Sequence, residues 1–105
     1  MKLAAFIIPA KVWLYKGDSP WHFVTIEKAD ADEIKRFDIR PRRGFGSIPV
    51  NVRLGKTKWK TSIFPDKNGT YLLPLKKEVR IKENIKVGDN VNVSVEVIMR
   101  KIVQR

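Results

Sequence analysis

The sequence predicts a mainly β protein: a small closed barrel in which two halves each supply a β-hairpin, a short helix and a further strand. Three observations carry this prediction. Runs of alternating apolar residues are typical of strands, turn residues separate those runs, and the same order of elements occurs twice. With 105 residues and a hydrophobic fraction of 43%, the chain suits a single domain, residues 1–105, with one core.

The first half begins with two strand-like segments. An apolar run over residues 3–15 holds Pro9 in its middle, and because proline lacks the N–H that a ladder needs, Pro9 indicates an edge, a bend or a bulge. Turn residues at 17–20 then lead to a return strand over Trp21–Ile26. We therefore expect a hairpin in this part of the chain.

A helix that starts at Asp30 is predicted next, within the segment KADADEIKRF. Asp30 is expected to cap it and Glu33, three residues later, to complete a capping box, while Asp32 adds a negative charge where the helix dipole favours one. Ile34 and Phe37 lie three apart and can face the core. The acidic residues could also be imagined as a metal site, but capping explains all three more simply, and we predict no metal.

The clearest hairpin joins Ile48–Leu54 to Thr57–Ile63 through the turn Gly55-Lys56. In that register, one mostly apolar face should be buried, and it comprises Ile48, Val50, Val52, Leu54, Thr57, Trp59, Thr61 and Ile63. The other face opposes Arg53 to Lys58, and like charges in opposed positions repel. Water and salt can screen them, which is the commoner case, or an anion can lie there.

The second half continues with another hairpin, around Asn68-Gly69, and its return strand ends at Pro74. A short helix is predicted after it, with Leu75 and Val79 on one face. Lys76 and Lys77 lie in its first turn, where the helix dipole disfavours cations. A Gly-Asp turn follows, and the last strand is predicted from valines that alternate with polar residues at 91–97.

A weak repeat relates the two halves. In each half, the order is strand, turn, strand, helix and strand, and HFVTIEKADADEI corresponds to TYLLPLKKEVRI. Interlocking the two hairpins would close a barrel and leave no exposed sheet edge. The barrel would then need both halves.

Three segments carry a resemblance to a known family: RRGFGSIPVNV, WKTSIFP and YLLPLKKEVR. They resemble the family called domain of unknown function nineteen-oh-five, from about Phe6 to Val95. The resemblance implies a double-split β-barrel related to the swapped-hairpin AbrB and MazE regulators. Leu73-Pro74, Arg80 and Gly88-Asp89 match those regulators' half-barrel pattern. The first half departs from it, since Ile26-Glu27 stands where a Leu-Pro step is usual. The family has no established activity to carry over.

The charge of the chain points to anionic partners. Lys and Arg number 22 and Asp and Glu 11, which gives a formal net charge of +11 and a positive potential that attracts polyanions. The chain has no cysteine, which fits a reducing compartment, and no apolar run of the roughly 20 residues that span a membrane. We therefore expect a cytoplasmic protein without membrane contact. A monomeric barrel is expected, with a dimer as the alternative.

The candidate site combines basic and aromatic side chains from the three segments of the resemblance. Its predicted members are Arg42, Arg43, Trp59, Lys60, Thr61, Lys76, Lys77 and Arg80. Arg and Lys can hold phosphates, and Trp59 can stack on a base or a sugar. Each also has a plainer interpretation, which we favour for Trp59: that residue packs in the core. The lysines would be solvated, and Arg80 would pair with Asp89.

The predicted function is binding of nucleic acid or another polyanion, without catalysis and without a cofactor. A pocket for a small anionic molecule and a protein-interaction accessory domain are the alternatives. His22 is the only histidine and lies between two aromatic residues, and no nucleophile elbow or phosphate-binding loop occurs. We therefore do not expect an enzyme.

Overall fold

The strands and helices follow the predicted order. The computed structural model describes residues 5–17, 20–37 and 46–98. Its elements are β1 (Ala5–Lys11), β2 (Trp13–Tyr15), β3 (Trp21–Ile26), α1 (Lys28–Phe37), β4 (Ile48–Leu54), β5 (Thr57–Pro65), β6 (Tyr71–Pro74), α2 (Lys77–Lys82) and β7 (Asn90–Val97), with a 3₁₀ turn at Lys67–Gly69. The protein is therefore mainly β with two helices.

The seven strands form one antiparallel sheet in the order β1-β7-β4-β5-β6-β3-β2. Strand β5 pairs with β4 along Thr57–Ile63 and then with β6 through Phe64 and Pro65. The consecutive strands β1 and β2 likewise change partner along the chain: β1 pairs with β7, and β2 then pairs with β3. Between them, the Val12 N–H donates to the Asp89 carbonyl at 2.9 Å.

The prediction of a closed barrel is wrong. The strands at the two ends of the sheet order, β1 and β2, are not paired with each other, and the sheet is an open half-barrel. The reason lies in the chain: β1 and β2 are consecutive segments that meet at Val12, so they cannot lie side by side as a ladder. The ends of the sheet are linked by covalent continuity instead of by hydrogen bonds.

The two halves interlock as the repeat predicts. The first comprises β2, β3, α1 and β4, and the second comprises β5, β6, α2 and β7. Strand β3 pairs with β6, and β4 lies between β5 and β7. The buried apolar residues of both halves accordingly belong to one core cluster, to which every described strand except β2, and α1 as well, contributes.

The central hairpin has the predicted register. Ile48 faces Ile63 at one end and Leu54 faces Thr57 at the other, and Gly55 in the turn has the positive φ, +61°, that a two-residue turn needs at its first position. Val50 and Val52 are buried, whereas Arg53, next to Val52 on the same strand, is exposed. The predicted buried face is confirmed along β4 and at Ile63, whereas Thr57, Trp59 and Thr61 on the same face are only half-buried.

Helix α1 begins earlier than predicted. Its first residue is Lys28, and the Ala31 N–H donates to the Glu27 carbonyl at 2.8 Å, so Asp30 lies inside the first turn and the predicted cap at Asp30 is wrong. The earlier start brings Ala31 into the core together with Ile34, and both are fully buried. Burial of the apolar stripe outweighs the local preference of an aspartate for the cap.

The acidic side chains of α1 pair with cations of the same helix. Asp32 lies 2.8 Å from the Lys28 ammonium and 3.6 Å from that of Lys35, and Glu33 lies 3.5 Å from the Arg36 guanidinium. These ion pairs between neighbours on the helix surface account for the carboxylates. Groups of acidic, His or Cys residues arranged to hold a metal are not found among the described residues.

Helix α2 buries Val79 as predicted, but it begins at Lys77, so the buried Leu75 and the exposed Lys76 lie before its first residue and not within its first turn. It ends in a Schellman arrangement: the Ile85 N–H donates to the Arg80 carbonyl and the Asn84 N–H to the Ile81 carbonyl, with Asn84 left-handed at φ +54°. Across the described ranges, no helix is long and apolar enough to cross a membrane.

Candidate functional site

The outward face of β7, β4 and β5 carries a concave, mostly polar surface. We call it the basic hollow; its volume is about 440 Å³, Val52 and Trp59 form part of its lining, and its polar side chains are Asn51, Arg53, Lys58, Lys60, Ser94 and Glu96. The strand alternation that buries Val50 and Val52 turns these side chains outward. The hollow therefore follows directly from the hairpin register.

Cations dominate the basic hollow. Arg53 and Lys58 are directly opposed on neighbouring strands, as Asn51 and Lys60 are. Glu96 is the one carboxylate of the lining, and it accepts a long hydrogen bond of 3.4 Å from the Asn51 amide. Ion pairs between described residues include none of these three cations. The Arg53 Nε donates to the nearby Gly55 carbonyl, at 3.3 Å.

A smaller hollow adjoins the first one and shares Trp59 and Lys60 with it. We call it the middle hollow; its volume is about 180 Å³, and it also holds Trp21, Thr61 and Lys76. Lys76 is exposed at the start of α2, and its ammonium lies 3.9 Å from a Glu78 carboxylate oxygen. The positive surface thus extends from the central hairpin toward α2.

The third surface is aromatic. We call it the aromatic hollow; it has a volume of about 350 Å³ and is lined by Tyr15, Trp21, Phe23, Phe64 and Leu72. These residues lie on the outward face of β2, β3, β6 and the end of β5. Trp21 is 53% exposed and Tyr15 51%. Trp21 lines both the middle and the aromatic hollows, and Trp59 and Lys60 line both the basic and the middle hollows, so we refer to the three hollows together as the track.

The ring of His22 lies on the opposite side of β3 from Trp21, against α2. Its Nε2 is 3.4 Å from an Arg80 guanidinium nitrogen, and its Nδ1 is buried without a hydrogen-bond partner among the described residues. Burial, together with the positive charge of Arg80, lowers the pKa of His22. A neutral ring accepts the Arg80 N–H, so His22 supports the position of Arg80.

Arg80 on α2 makes its contacts within the fold. Its Nε donates to the Leu75 carbonyl at 3.1 Å, which ties α2 to the segment before it. The predicted pairing with Asp89 does not occur: the Asp89 carboxylate accepts the Lys86 backbone N–H at 2.8 Å instead. The guanidinium of Arg80 is thus held within the fold.

The structure brings together four residues of the predicted site: Trp59, Lys60, Thr61 and Lys76 line the middle hollow. Trp59 is half-buried and packs against the core, as the plainer interpretation predicted, while still lining two hollows. Lys77 is exposed on α2. Arg42 and Arg43 lie outside the described residues, and their role stays a prediction.

Two groups of residues are absent from the site that the sequence predicts. The first group is Arg53 and Lys58, whose opposition is evident from the hairpin register. Water and salt commonly screen the repulsion of such a pair, so the sequence alone does not indicate a site. Their position in a concave surface favours a bound anion over screening. The aromatic hollow is the second group. The available signal is the run Trp21–Ile26, which is apolar on both faces, so that one of the two faces has to lie outside a core this small.

The class of protein that these observations define is a small, mainly β half-barrel of interlocked halves with basic and aromatic surfaces. The chain belongs to the family described as Domain of unknown function (DUF1905), whose match covers residues 9–95. That range includes both halves, and the resemblance stated from the sequence is confirmed. Among proteins with curated descriptions, none matches the chain significantly.

Proposed function

We propose that this protein binds nucleic acid or a similar polyanion through the basic hollow, without catalysis. The observation that supports the proposal is the convergence of Arg53, Lys58 and Lys60 on one concave surface. Two of these cations face each other directly across β4 and β5, an arrangement that costs stability in the free protein. A phosphate between them would remove that repulsion.

The arrangement of the strands is consistent with this proposal. Strand β5 and the consecutive pair β1–β2 each pass from one set of partners to another, which supports an open form of the double-split arrangement related to the AbrB and MazE regulators. Fold alone does not carry function. The proposal therefore depends on the side chains of the basic hollow.

The test is fluorescence anisotropy with labelled DNA and RNA at a series of salt concentrations. Each phosphate neutralised adds about −0.9 to the slope of log affinity against log salt for duplex DNA, so three contacts predict a slope of about −3. The double variant Lys58→Gln with Lys60→Gln should weaken binding and make the slope shallower by about 2.

A matched control removes the same charge elsewhere. Lys82 and Lys86 are exposed and line none of the three hollows, so the double variant Lys82→Gln with Lys86→Gln has the same net charge as the first. If the two double variants weaken binding equally, the overall charge of the protein is responsible, and the basic hollow is not the site. Absence of binding by the wild-type protein at low salt would refute the proposal.

A further inference from the structure

The aromatic hollow is an apolar surface without a partner inside the described part of the chain. Tyr15, Trp21 and Phe64 are 51%, 53% and 40% exposed. The opposite face of the same strands is occupied by the core, where Val24 and Leu73 are fully buried. The exposed rings therefore do not pack in the core. Contiguous exposed apolar surface of this kind marks a binding site.

The rings are held in place by strand pairing. On the outward face, Tyr15 is opposite Trp21 and Trp13 is opposite Phe23. The planes of Trp21 and Phe23 are 7° from parallel, with ring centroids 6.1 Å apart, and the Trp13 and Tyr15 rings pack against Phe23 at 5.4 and 6.5 Å. Flat rings fixed on a sheet are the usual platform on which the bases of a single strand stack.

The cations beside the rings indicate the chemistry of the occupant. Trp21 also lines the middle hollow with Lys60 and Lys76, and Lys60 belongs to the basic hollow as well. A polymer that alternates phosphates with flat apolar groups would match this order of surfaces. A purely apolar partner would leave the two lysines unused.

Duplex and single strand differ in what they can offer to such a track. The bases of a duplex are stacked inside it, whereas the bases of a single strand are free to stack on aromatic side chains. Duplex binding would therefore use the basic hollow alone. A single strand can use the basic hollow for its phosphates and Trp21 with its neighbours for its bases.

We propose that the ligand of this protein is a single-stranded polynucleotide whose phosphates lie along Lys60 and Lys76 and whose bases stack on Trp21 and the rings beside it. This inference rests on the proposed function and narrows it to one class of substrate. The shared chemistry allows either DNA or RNA. Sequence preference is expected to be weak, because every base presents a flat face to the rings.

The experiment measures the anisotropy of labelled single strands of about 16 nucleotides, in DNA and RNA form, and of the corresponding duplexes, at low salt. The wild-type protein should bind the single strands more tightly. Trp21→Ala should weaken single-strand binding about five- to hundredfold and leave duplex binding unchanged. Trp21→Phe should retain most of the single-strand affinity, since it keeps a flat ring.

Controls separate stacking from loss of fold. Ile81→Ala removes another large, exposed apolar side chain, 67% exposed on α2 and away from the hollows, and should leave all affinities unchanged. Far-UV circular dichroism of each variant verifies the sheet. Phe64→Ala, at the opposite side of the aromatic hollow, provides a second test of the same surface.

Several outcomes would overturn the inference in distinguishable ways. If Trp21→Ala and Phe64→Ala bind single strands like the wild type while the Lys58 and Lys60 variant binds weakly, the proposed function stands and the stacking surface does not. Equal affinity of the wild type for duplex and single strand also rules out the stacking surface. If light scattering shows a dimer that Trp21→Ala dissociates, the aromatic hollow is an interface between two copies. Failure of the wild type to bind any polynucleotide refutes both this inference and the nucleic-acid binding of the proposed function.

Discussion

At the scale of single residues, His22 shows how a contact distant in sequence sets a chemical property. The ring is desolvated against α2, and the guanidinium of Arg80 faces its Nε2 at 3.4 Å. Both effects disfavour the imidazolium and lower its pKa. The protein therefore folds around a neutral histidine at neutral pH.

This neutral histidine predicts a pH dependence of stability. The folded pKa is below the unfolded value of about 6.5, so the unfolded state takes up the proton first as the pH falls, and stability decreases below about pH 6.5. Denaturant unfolding at several pH values should show this decrease, and His22→Gln should reduce it. The pKa of Asp32 is also lowered, but this carboxylate affects the pH dependence of stability only at more acidic pH than His22.

A direct measurement can separate the two causes. Because His22 is the only histidine, its imidazole resonances can be followed in an NMR titration without ambiguity. Arg80→Met should raise the pKa of His22 toward its ordinary value without restoring it, since burial remains the larger effect. An unchanged pKa in that variant would show that the Arg80 charge has no influence on the ring.

Residue identity alone could not predict which face of β3 lies outside. In Trp21–Ile26, Trp21 and Phe23 alternate with Val24 and Ile26, and period-two alternation shows only that each pair shares a face. The packing partners of β3 determine which face is buried, because β6 and the core cover Val24 and Ile26. The aromatic hollow is therefore a property of the tertiary structure, and the sequence pattern only allows it.

At the scale of elements, the turn between β4 and β5 is held by the residue that follows α2. The Glu83 carboxylate accepts hydrogen bonds from the Thr57 hydroxyl, at 2.5 Å, and from the Lys56 backbone N–H, at 3.3 Å. A Cβ on Gly55 would collide with an oxygen of the same carboxylate. Gly55 is thus required both by its backbone conformation and by the close approach of Glu83.

Substitution of Gly55 should separate these two requirements. Gly88 also has a positive φ, but a Cβ there would meet nothing within 4 Å, so Gly88→Ala should cost about 1 kcal/mol from backbone strain alone. Gly55→Ala should cost about 1 kcal/mol more, because the Glu83 carboxylate must leave its donors. Urea unfolding measures both free energies.

A double-mutant cycle checks the proposed cause. In a Glu83→Ala background, the additional cost of Gly55→Ala should disappear, and the two glycine substitutions should then cost about the same. If the additional cost persists without the Glu83 side chain, the clash with Glu83 is not its origin.

Elements with strong local patterns are the most predictable from the sequence. The central hairpin is predicted to the residue because its turn and its alternation agree. The start of α1 is not predicted to the residue. Asp30 satisfies a local capping rule, but the burial of Ala31 overrides this rule. Helix α2 shows the same limit: its apolar face is evident from the sequence, whereas the partners of Arg80 depend on a contact with a residue 58 positions away.

At the scale of the whole molecule, the two halves cannot be separated without breaking both. Strand β4 of the first half lies between β5 and β7 of the second, and β6 of the second lies between β5 and β3. Each half alone would expose the core residues that the other half covers. The repeat in the sequence predicts the interlocked halves but not the open sheet, because residues 3–15 read as one continuous apolar run, whereas the structure places β1 and β2 against different partner strands.

Interlocking predicts a single cooperative unfolding transition. Trp13 and Trp21 belong to the first half and Trp59 to the second, so Trp59→Phe leaves a tryptophan fluorescence signal from the first half alone. Its transition in urea should coincide with the transition of the same variant measured by far-UV circular dichroism. Separate transitions would show that the halves unfold independently, contrary to the shared core.

The strands at the two ends of the sheet also bear on how the protein behaves at high concentration. In the described ranges, nothing pairs with the outer edges of β1 and β2, and such edges can recruit strands from other molecules. Strand β2 has only three residues, and β1 carries Pro9 in its second half, where no backbone donor is available. These features make both edges poor templates for aggregation, even though the outer face of the sheet carries exposed aromatic rings.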